Sequence, residues 1–415
     1  MSKKVIVIGG GIIGLCSAYF LHKEGQDVTL IDKSNMDAGA SYVNAGYLSP
    51  SHIIPLSAPG VMKKGLKWMF NSSSPLYIRP RFDADFIRWT WAFNRSCNSK
   101  HVTKSIPVIR DIAVLSQELY DDFKAMENFR FHYEKKGLFM LCKTQKGLDN
   151  EIKVANLAKE QGLDVEVLDS EQLKSLEPNV LIEALGATYY KCDSHTTPHE
   201  FMDDIKAYLQ KAGVLLLTNE KVEDLVISQK EILSLKTSKQ NLIADEYVLA
   251  AGSWSPLLSR KLGLKLLVQA GKGYRINSKR EYGITIPAIL AESKVAVTPM
   301  NGFTRFAGTM ELAGINHKIN KVRVEAIANA MQKYYPSVRL SKEEKEDAAC
   351  GLRPVSPDGL PYIGRSEKCK NLSFATGHAM MGWSMATATG KLVSEVISNK
   401  KLSLNLEPFS PDRTF

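Results

Sequence analysis

Apolar positions in the first thirty residues change period twice. Val5-Ile6-Val7-Ile8 is an unbroken β-branched run, the pattern of a strand buried on both faces of a parallel sheet. Ile12, Ile13, Cys16, Tyr19 and Phe20 then recur at helical spacing until Gly25, and Val28-Thr29-Leu30-Ile31 returns to strand before Asp32. This predicts strand, helix and strand in about 30 residues, a βαβ unit. From residue 44 to 95 the periodicity fades among Pro, Gly, Ser and aromatic residues. Beyond it the pattern predicts a long helix at 108–126, a strand at 137–141, an amphipathic helix at 151–161 and an alternating strand at 165–168. A helix at 198–212 has Thr197 as its N-cap and Gly213 at its end. Strands follow at 214–217, 221–227, 232–236 and 245–249, then at 295–298 and 304–307 around the hairpin dipeptide Asn301-Gly302. Helices at 322–334 and 385–397 complete the series. Helical and strand segments interleave with no linker rich in Ser, Pro or charge, so two domains crossed several times by the chain are expected.

The length of 415 residues admits two or three domains at about 150 residues each. With 44% hydrophobic and 24% charged residues, disordered and fibrous architectures are poor fits. The six cysteines (16, 97, 142, 192, 350 and 369) are scattered, with no C-x-x-C pair and no Cys/His cluster at zinc spacing. Reduced thiols in a cytoplasmic setting, and no metal site, are the expectation. His52, His195 and His199 likewise lack metal-ligand spacing. The net charge of +10 favours anionic surfaces or ligands, but no nucleic-acid-binding signature accompanies it. Ser2-Lys3-Lys4 before an apolar run imitates a signal peptide, yet Gly9, Gly10, Gly11 and Gly14 break the run and His22-Lys23-Glu24 ends it. No stretch reaches ~18 apolar residues, so a chain that is soluble or peripheral to a membrane is expected.

The sharpest motif is Gly9-Gly10-Gly11-Ile12-Ile13-Gly14, which fits G-x-G-x-x-G between a strand and a helix. The first glycine permits the turn, the second lets a pyrophosphate approach, and the third lets helix and sheet pack closely. The helix N-terminus offers N–H groups to phosphate. Asp32 closes the second strand where a carboxylate can accept from ribose hydroxyls. The motif by itself leaves NAD and FAD open.

Further motifs narrow the choice. They are Ser41-Tyr42-Val43-Asn44-Ala45-Gly46, Val248-Leu249-Ala250-Ala251-Gly252-Ser253-Trp254, Gly273-Tyr274, Gly351-Leu352-Arg353-Pro354, Asp358-Gly359-Leu360-Pro361-Tyr362-Ile363-Gly364, Ala375-Thr376-Gly377-His378 and Gly382-Trp383. With Ala58-Pro59-Gly60 and Lys67-Trp68-Met69-Phe70, the chain resembles the FAD-dependent D-amino-acid oxidase superfamily, most of all its bacterial D-amino-acid dehydrogenase branch. The resemblance implies an α/β fold. A Rossmann-like FAD-binding domain (1–48, 196–262 and 346–415) would interleave with an α+β substrate domain (49–195 and 263–345) built on a large mixed or antiparallel sheet. It implies non-covalent FAD, since the cysteine setting of sarcosine oxidases is missing around 304–311. Gly9, Gly11, Ile12, Ile13, Gly14, Asp32 and Lys33 would hold the adenosine and pyrophosphate. Ser41, Asn44, Ala45 and Gly46 would line the flavin side, Val222 would meet the adenine, and Ala250 and Gly252 would pass the pyrophosphate. Gly377, His378 and Gly382 would sit by the flavin, with the helix at 385 aimed at its pyrimidine ring and His378 serving mainly backbone and packing roles.

The resemblance assigns Arg353 to the substrate carboxylate, for which a guanidinium fork is suited; the competing reading is an arginine bridging the domains. Tyr274 would touch substrate or pack in the sheet, and Lys272 would face solvent. The implied activity is oxidative deamination of D-amino acids to 2-oxo acids and ammonia by hydride transfer to flavin. The alternatives are a D-proline or 4-hydroxy-D-proline dehydrogenase acting on a cyclic imino acid, and a glycine- or sarcosine-type oxidase using oxygen. A protein keeping only the flavin-binding fold is a further reading, and an NAD-dependent dehydrogenase is disfavoured by the C-terminal glycine motifs. A quinone or another respiratory-chain acceptor would make peripheral contact with the cytoplasmic membrane face useful. Residues 60–95 offer Lys63, Lys64, Lys67, Arg79, Arg81, Arg88 and Arg95 beside Trp68, Phe70, Trp89 and Trp91. Packing of these aromatics over the active site is the competing expectation.

Overall fold

A computed structural model describes residues 2–62, 65, 74–79, 81, 83–126 and 128–415. Its β-branched N-terminal run takes the position such residues require, covered on both faces at the centre of a sheet. Lys4–Ile8 lies parallel between Asp27–Ile31 and Glu246–Leu249, and Val5 to Ile8 are all buried. The full six-strand order is Leu215–Leu217, Asp27–Ile31, Lys4–Ile8, Glu246–Leu249, Cys369–Thr376 and Tyr362–Ser366, parallel except for the last. The helix Ile12–Lys23 makes the crossover between the first two strands, and the C-terminal helix Ala386–Ile397 packs against it. Ser99–Ala125 lies on that C-terminal helix, where the Thr387 hydroxyl donates to the Ser116 carbonyl (2.7 Å).

The second large sheet contains nine strands among the described residues. Eight run in the order Ala349–Val355, Gln269–Ser278, Phe303–Leu312, Val295–Met300, Ala288–Leu290, Leu138–Cys142, Gly186–Tyr190 and Val165–Asp169, and Leu76–Ile78 pairs with Phe303–Leu312. Pairing is antiparallel apart from Leu76–Ile78 and the junction of Ala288–Leu290 with Leu138–Cys142. Helix Lys321–Tyr334 covers one face, burying Val324, Ile327 and Met331 against Phe139, Ile276 and Phe306. The strand bearing Arg353 belongs to this sheet by its pairing with Gln269–Ser278, so the segment 346–415 contributes to both large sheets.

Three expectations are corrected. Residues 44–95 contain a helix, Ala84–Ser96, capped by Asp83, whose carboxylate accepts from Phe86 N (2.7 Å). The long helix begins at Ser99, nine residues before the predicted start, and runs through Pro107. Interior proline costs about 3 kcal/mol, and burial of Ile109, Ile112, Tyr120 and Phe123 along one stripe outweighs it. Thr197 occupies the N-cap position of Pro198–Lys211 without a side-chain cap; its hydroxyl accepts from Asn301 N (2.9 Å) instead. Pro198 at the first helical position removes one N–H that would need a partner. The hairpin around Asn301-Gly302 forms as expected, with Gly302 at φ +78°. No helix among the described residues is long and apolar enough to cross a membrane.

Candidate active site

The carboxyl ends of the parallel strands and one face of the large sheet enclose a cavity of about 960 Å³. Open parallel sheets bind ligands outside these strand ends. The residues that follow three of the strands line the cavity here: Gly9 and Gly11, Asp32 and Lys33, and Ala250, Ala251 and Gly252.

The glycine turn is dictated by packing. Gly9 has φ +115°, and a Cβ there would lie 2.5 Å from the Ala250 carbonyl oxygen; a Cβ on Gly14 would lie 1.8 Å from the Gly9 carbonyl oxygen. Neither position accepts a side chain. A Cβ on Gly11 would meet only Ser41 Oγ, at 3.3 Å, so this position opens onto the cavity. Ile12 and Ile13 also line it, while Gly14, Gly46 and Gly377 stand behind the wall. Ile12 N donates to Ser41 Oγ (3.0 Å), so Ser41 braces the start of the first helix.

Asp32 does more than the expected ribose contact. Its Oδ2 accepts from Gly10 N (2.7 Å), and Oδ1 accepts from both the N–H and the hydroxyl of Ser34 (2.7 Å each). A carboxylate offers about four lone-pair sites, so one is left for a ribose hydroxyl. Beyond Asp32, the Lys33 ammonium lies 3.4 Å from the Trp254 ring centroid, a cation–π contact. His317 stacks with the same indole at 5.9 Å and 14°. Burial lowers the Lys33 pKa. Val222, Lys221 and buried Glu220 complete this end. A turn open at Gly11, a helix N-terminus, a spare carboxylate acceptor and an aromatic end together fit FAD.

The loop expected on the flavin side is held from the large sheet, by residues the sequence reading did not single out. Arg305 donates to the carbonyls of Tyr42 (3.1 Å) and Asn44 (2.6 Å), and the Thr298 hydroxyl donates to that of Ala45 (2.8 Å). Asn44 Oδ1 accepts from Gly46 N (2.8 Å), which closes the turn. Burial, reinforced by nearby Arg275, pulls the Arg305 pKa down to about 9. His378 borders the cavity as a neutral imidazole, its pKa pulled to about 3 by burial. The Thr389 hydroxyl donates to the Met385 carbonyl (2.7 Å), so its oxygen accepts from His378 Nε2 (2.9 Å). Nδ1 therefore carries the lone pair, and it has no hydrogen-bond partner among the described residues. Gly382, Trp383 and Ser384 line the cavity just before helix Ala386–Ile397 begins.

Arg353 projects into the same cavity from the large sheet. Its Nη1 donates to the Thr309 carbonyl (2.8 Å). Burial pulls its pKa down to about 10, and no charged neighbour among the described residues contributes. A Cβ on Gly273 would lie 2.3 Å from Nη2 and 2.4 Å from Cζ and Nη1. These near-equal distances place the guanidinium plane flat over the Gly273 backbone.

Of two neighbours, Lys272 departs from expectation and Tyr274 takes the packed one of its two expected positions. Lys272, expected at the surface, is 2% exposed, with Nζ 3.4 Å from Glu311 Oε1 and donating to Asn316 Oδ1 (2.7 Å). The Tyr274 hydroxyl donates to Glu311 Oε2 (2.6 Å), and its ring joins the apolar cluster under helix Lys321–Tyr334. Tyr274 therefore borders the cavity with its hydroxyl committed elsewhere. Half-buried His52 also lines the cavity, whereas His199 packs near Tyr42 and Phe303. His195 lies away from the cavity lining, beside His132 and Glu134.

Known proteins carry the same sequence pattern and fold. The family described as FAD dependent oxidoreductase, DAO, matches residues 4–396. A D-amino acid dehydrogenase of Bradyrhizobium diazoefficiens is 31% identical over 419 residues, covering 99% of this chain and 98% of that protein. A glycine oxidase from Geobacillus kaustophilus superposes with a TM-score of 0.79 at 21% identity, over 100% of this chain and 99% of its own. An L-proline dehydrogenase from P. horikoshii gives 0.75 at 20% identity, over 99% and 97%. At such identities the two structures speak for the fold. With the family pattern spanning nearly every residue and the strand-end cavity shaped for a dinucleotide, the chain belongs to the DAO family of FAD-dependent oxidoreductases.

Proposed function

We propose that the protein is a dehydrogenase that oxidises D-configured α-amino acids to imino acids, which water hydrolyses to 2-oxo acids and ammonia. The observation that carries this reading is Arg353, a half-buried guanidinium on the cavity wall whose partner among the described residues is a neutral carbonyl. Burying a cation without an opposite charge is unfavourable, and a carboxylate entering the cavity would supply that charge through two parallel hydrogen bonds. FAD bound at the glycine turn would supply the two-electron acceptor for the α-C–H bond. The chain's contribution is orientation: Arg353 fixes the carboxylate, and the Gly273 backbone and the Thr309 carbonyl fix Arg353. No side chain is required as a base, because the substrate ammonium can lose its proton to water before oxidation. The D-amino acid dehydrogenase relative favours D-amino acids over the cyclic imino acid and glycine alternatives. Among the described residues no cysteine lines the cavity, which supports non-covalent FAD. Anaerobic flavin bleaching against a panel of D- and L-amino acids, prolines and N-methyl amines tests the reading. Bleaching by D-amino acids is expected, with little peroxide formed under air; bleaching confined to glycine and sarcosine, with stoichiometric peroxide, overturns it.

The acceptor we propose is a quinone or another respiratory-chain carrier, reached by peripheral membrane contact. Helix Ala84–Ser96 supports this in part. Trp89 and Phe93 pack inward against Met310 and Val355, whereas Ile87 and Trp91, one turn apart, are 55% and 59% exposed. Arg95 lies over the Trp91 ring, 4.7 Å from its centroid. Arg81 and Arg88 are paired with Asp83 and Asp85, which weakens their claim on lipid. Lys63, Lys64, Lys67, Trp68 and Phe70 lie outside the described residues. Co-sedimentation with anionic vesicles at low salt is expected, and Ile87→Ser with Trp91→Ser should abolish it. Absence of wild-type protein from the vesicle pellet ends this reading.

A further inference from the structure

Away from the cavity, a small three-stranded sheet gathers donor atoms that the cofactor and the substrate grip do not use. Tyr47–Leu48 and Tyr133–Glu134 both pair antiparallel with Ser194–Thr196, and the register sets Glu134 opposite His195. Opposed residues of an antiparallel pair share one face, and His132, two residues before Glu134, joins them there. The His132 and His195 ring centroids are 5.4 Å apart. The Glu134 carboxylate spans the two rings, with Oε1 3.6 Å from His132 Nε2 and Oε2 3.6 Å from His195 Nε2. One donor atom from each of the three residues lies within 4.8 Å of the others.

The state of the imidazoles is the second observation. His195 is fully buried, and neither of its ring nitrogens makes a well-formed hydrogen bond among the described residues. Buried polar atoms without partners are rare in folded proteins. The Pro299 carbonyl is the backbone acceptor facing the His195 ring. His132 Nδ1 lies 3.2 Å from the Thr197 hydroxyl, which can accept its proton and leave the lone pair on Nε2. Outer partners of this kind orient metal-ligating histidines.

We infer that His132, Glu134 and His195 bind a borderline divalent transition-metal ion, with zinc as the reference ion and solvent in the fourth position. Two imidazole nitrogens and one carboxylate form a donor set suited to such ions. Two zinc bonds of about 2.0–2.1 Å at a tetrahedral angle set ligand atoms roughly 3.3 Å apart, so the two 3.6 Å pairs, made through different carboxylate oxygens, need to close slightly, and the widest pair, within 4.8 Å, needs a side-chain adjustment of about an ångström. His132 and Glu134 are partly exposed, which leaves room for water. Lys136, whose Nζ is 2.9 Å from Glu134 Oε2, is the competing cation and would swing outward from its half-exposed position. The ion would clamp the strand that backs the flavin-side loop, because Thr196 N donates to the Gly46 carbonyl (2.8 Å) and Trp383 Nε1 donates to the Thr196 hydroxyl (2.8 Å).

Titration of flavin-loaded protein with zinc, followed by dialysis and metal analysis, tests the site. A single equivalent of bound zinc and a higher Tm are expected for wild type. His132→Ala and Glu134→Gln should each weaken zinc at least ~10-fold and abolish the Tm rise. Both should keep their flavin absorbance, which shows that they are folded. Lys136→Ala should bind zinc at least as tightly as wild type. Failure of wild type to take up zinc at micromolar concentration overturns the inference, as does zinc bound equally by wild type and both variants.

Discussion

Arg353→Met is expected to lower kcat/KM for a D-amino acid by about 30- to several-thousand-fold, the ~2–5 kcal/mol typical of deleting one partner of a buried charge pair. FAD content should stay near wild type, because Arg353 stands on the large sheet whereas the glycine turn follows a strand of the parallel one. Arg353→Lys keeps the charge and loses the fork, so it should recover only part of the rate. Amines lacking a carboxylate should change little. Gly273→Ala examines the same grip from beneath. Its methyl would displace a guanidinium now 2.3–2.4 Å from that position, at about 1–3 kcal/mol for overpacking, with Arg353 itself intact. A purely structural arginine makes the opposite forecast: loss of soluble, flavin-loaded protein and an unchanged KM in what survives. Stopped-flow flavin reduction and flavin occupancy of the three variants decide between the two. Wild-type reduction of Arg353→Met by a D-amino acid would place the substrate elsewhere.

Gly11→Val protein is expected to purify folded and colourless. The new Cβ meets only Ser41 Oγ within the chain, at 3.3 Å, and its methyl groups enter the cavity where phosphates would approach the backbone. Strain of about 1–3 kcal/mol, added to lost N–H contacts, weakens FAD by on the order of 100-fold. Gly14→Val differs in kind, since its Cβ collides with the Gly9 carbonyl oxygen at 1.8 Å and damages the fold itself. Circular dichroism and flavin absorbance separate the two variants. A fully yellow Gly11→Val protein would show that the cofactor lies elsewhere.

What the sequence discloses follows the distance over which its contacts form. The βαβ unit is readable because its strand, glycine turn and helix are consecutive, and Gly9, Gly11 and Asp32 line the strand-end cavity. The hairpin at Asn301-Gly302 is legible for the same reason. Arg353 is found through its short motif, whereas the glycine that seats it lies on another strand and declares nothing by spacing. Lys272 reads as a surface residue because lysine usually is one. Its partner Glu311 lies on a neighbouring strand, and an irregularity between Lys272 and Tyr274 upsets simple alternation there. Arg305 is missed similarly, 261 residues beyond the loop whose carbonyl it holds. Pro107 misleads because local propensity opposes a helix that tertiary burial enforces.

The sheet order has a consequence for how the chain reaches this state. Lys4–Ile8 leaves the ribosome before the other strands of its sheet, yet one of its two neighbours is Glu246–Leu249, and the helix covering Ile12–Lys23 ends at Ile397. During most of synthesis the parallel sheet therefore has an unfilled edge of β-branched residues, which invites pairing with other chains. Contacts this distant in sequence also slow folding through the entropy of loop closure. Nascent chains stalled before residue 246 are expected to remain protease-sensitive and dependent on chaperones, with protection arriving only once the C-terminal helix is released. The N-terminal half is thus a strand waiting for its neighbour, and supply of FAD cannot rescue a chain cut before Ala386, where the C-terminal helix begins.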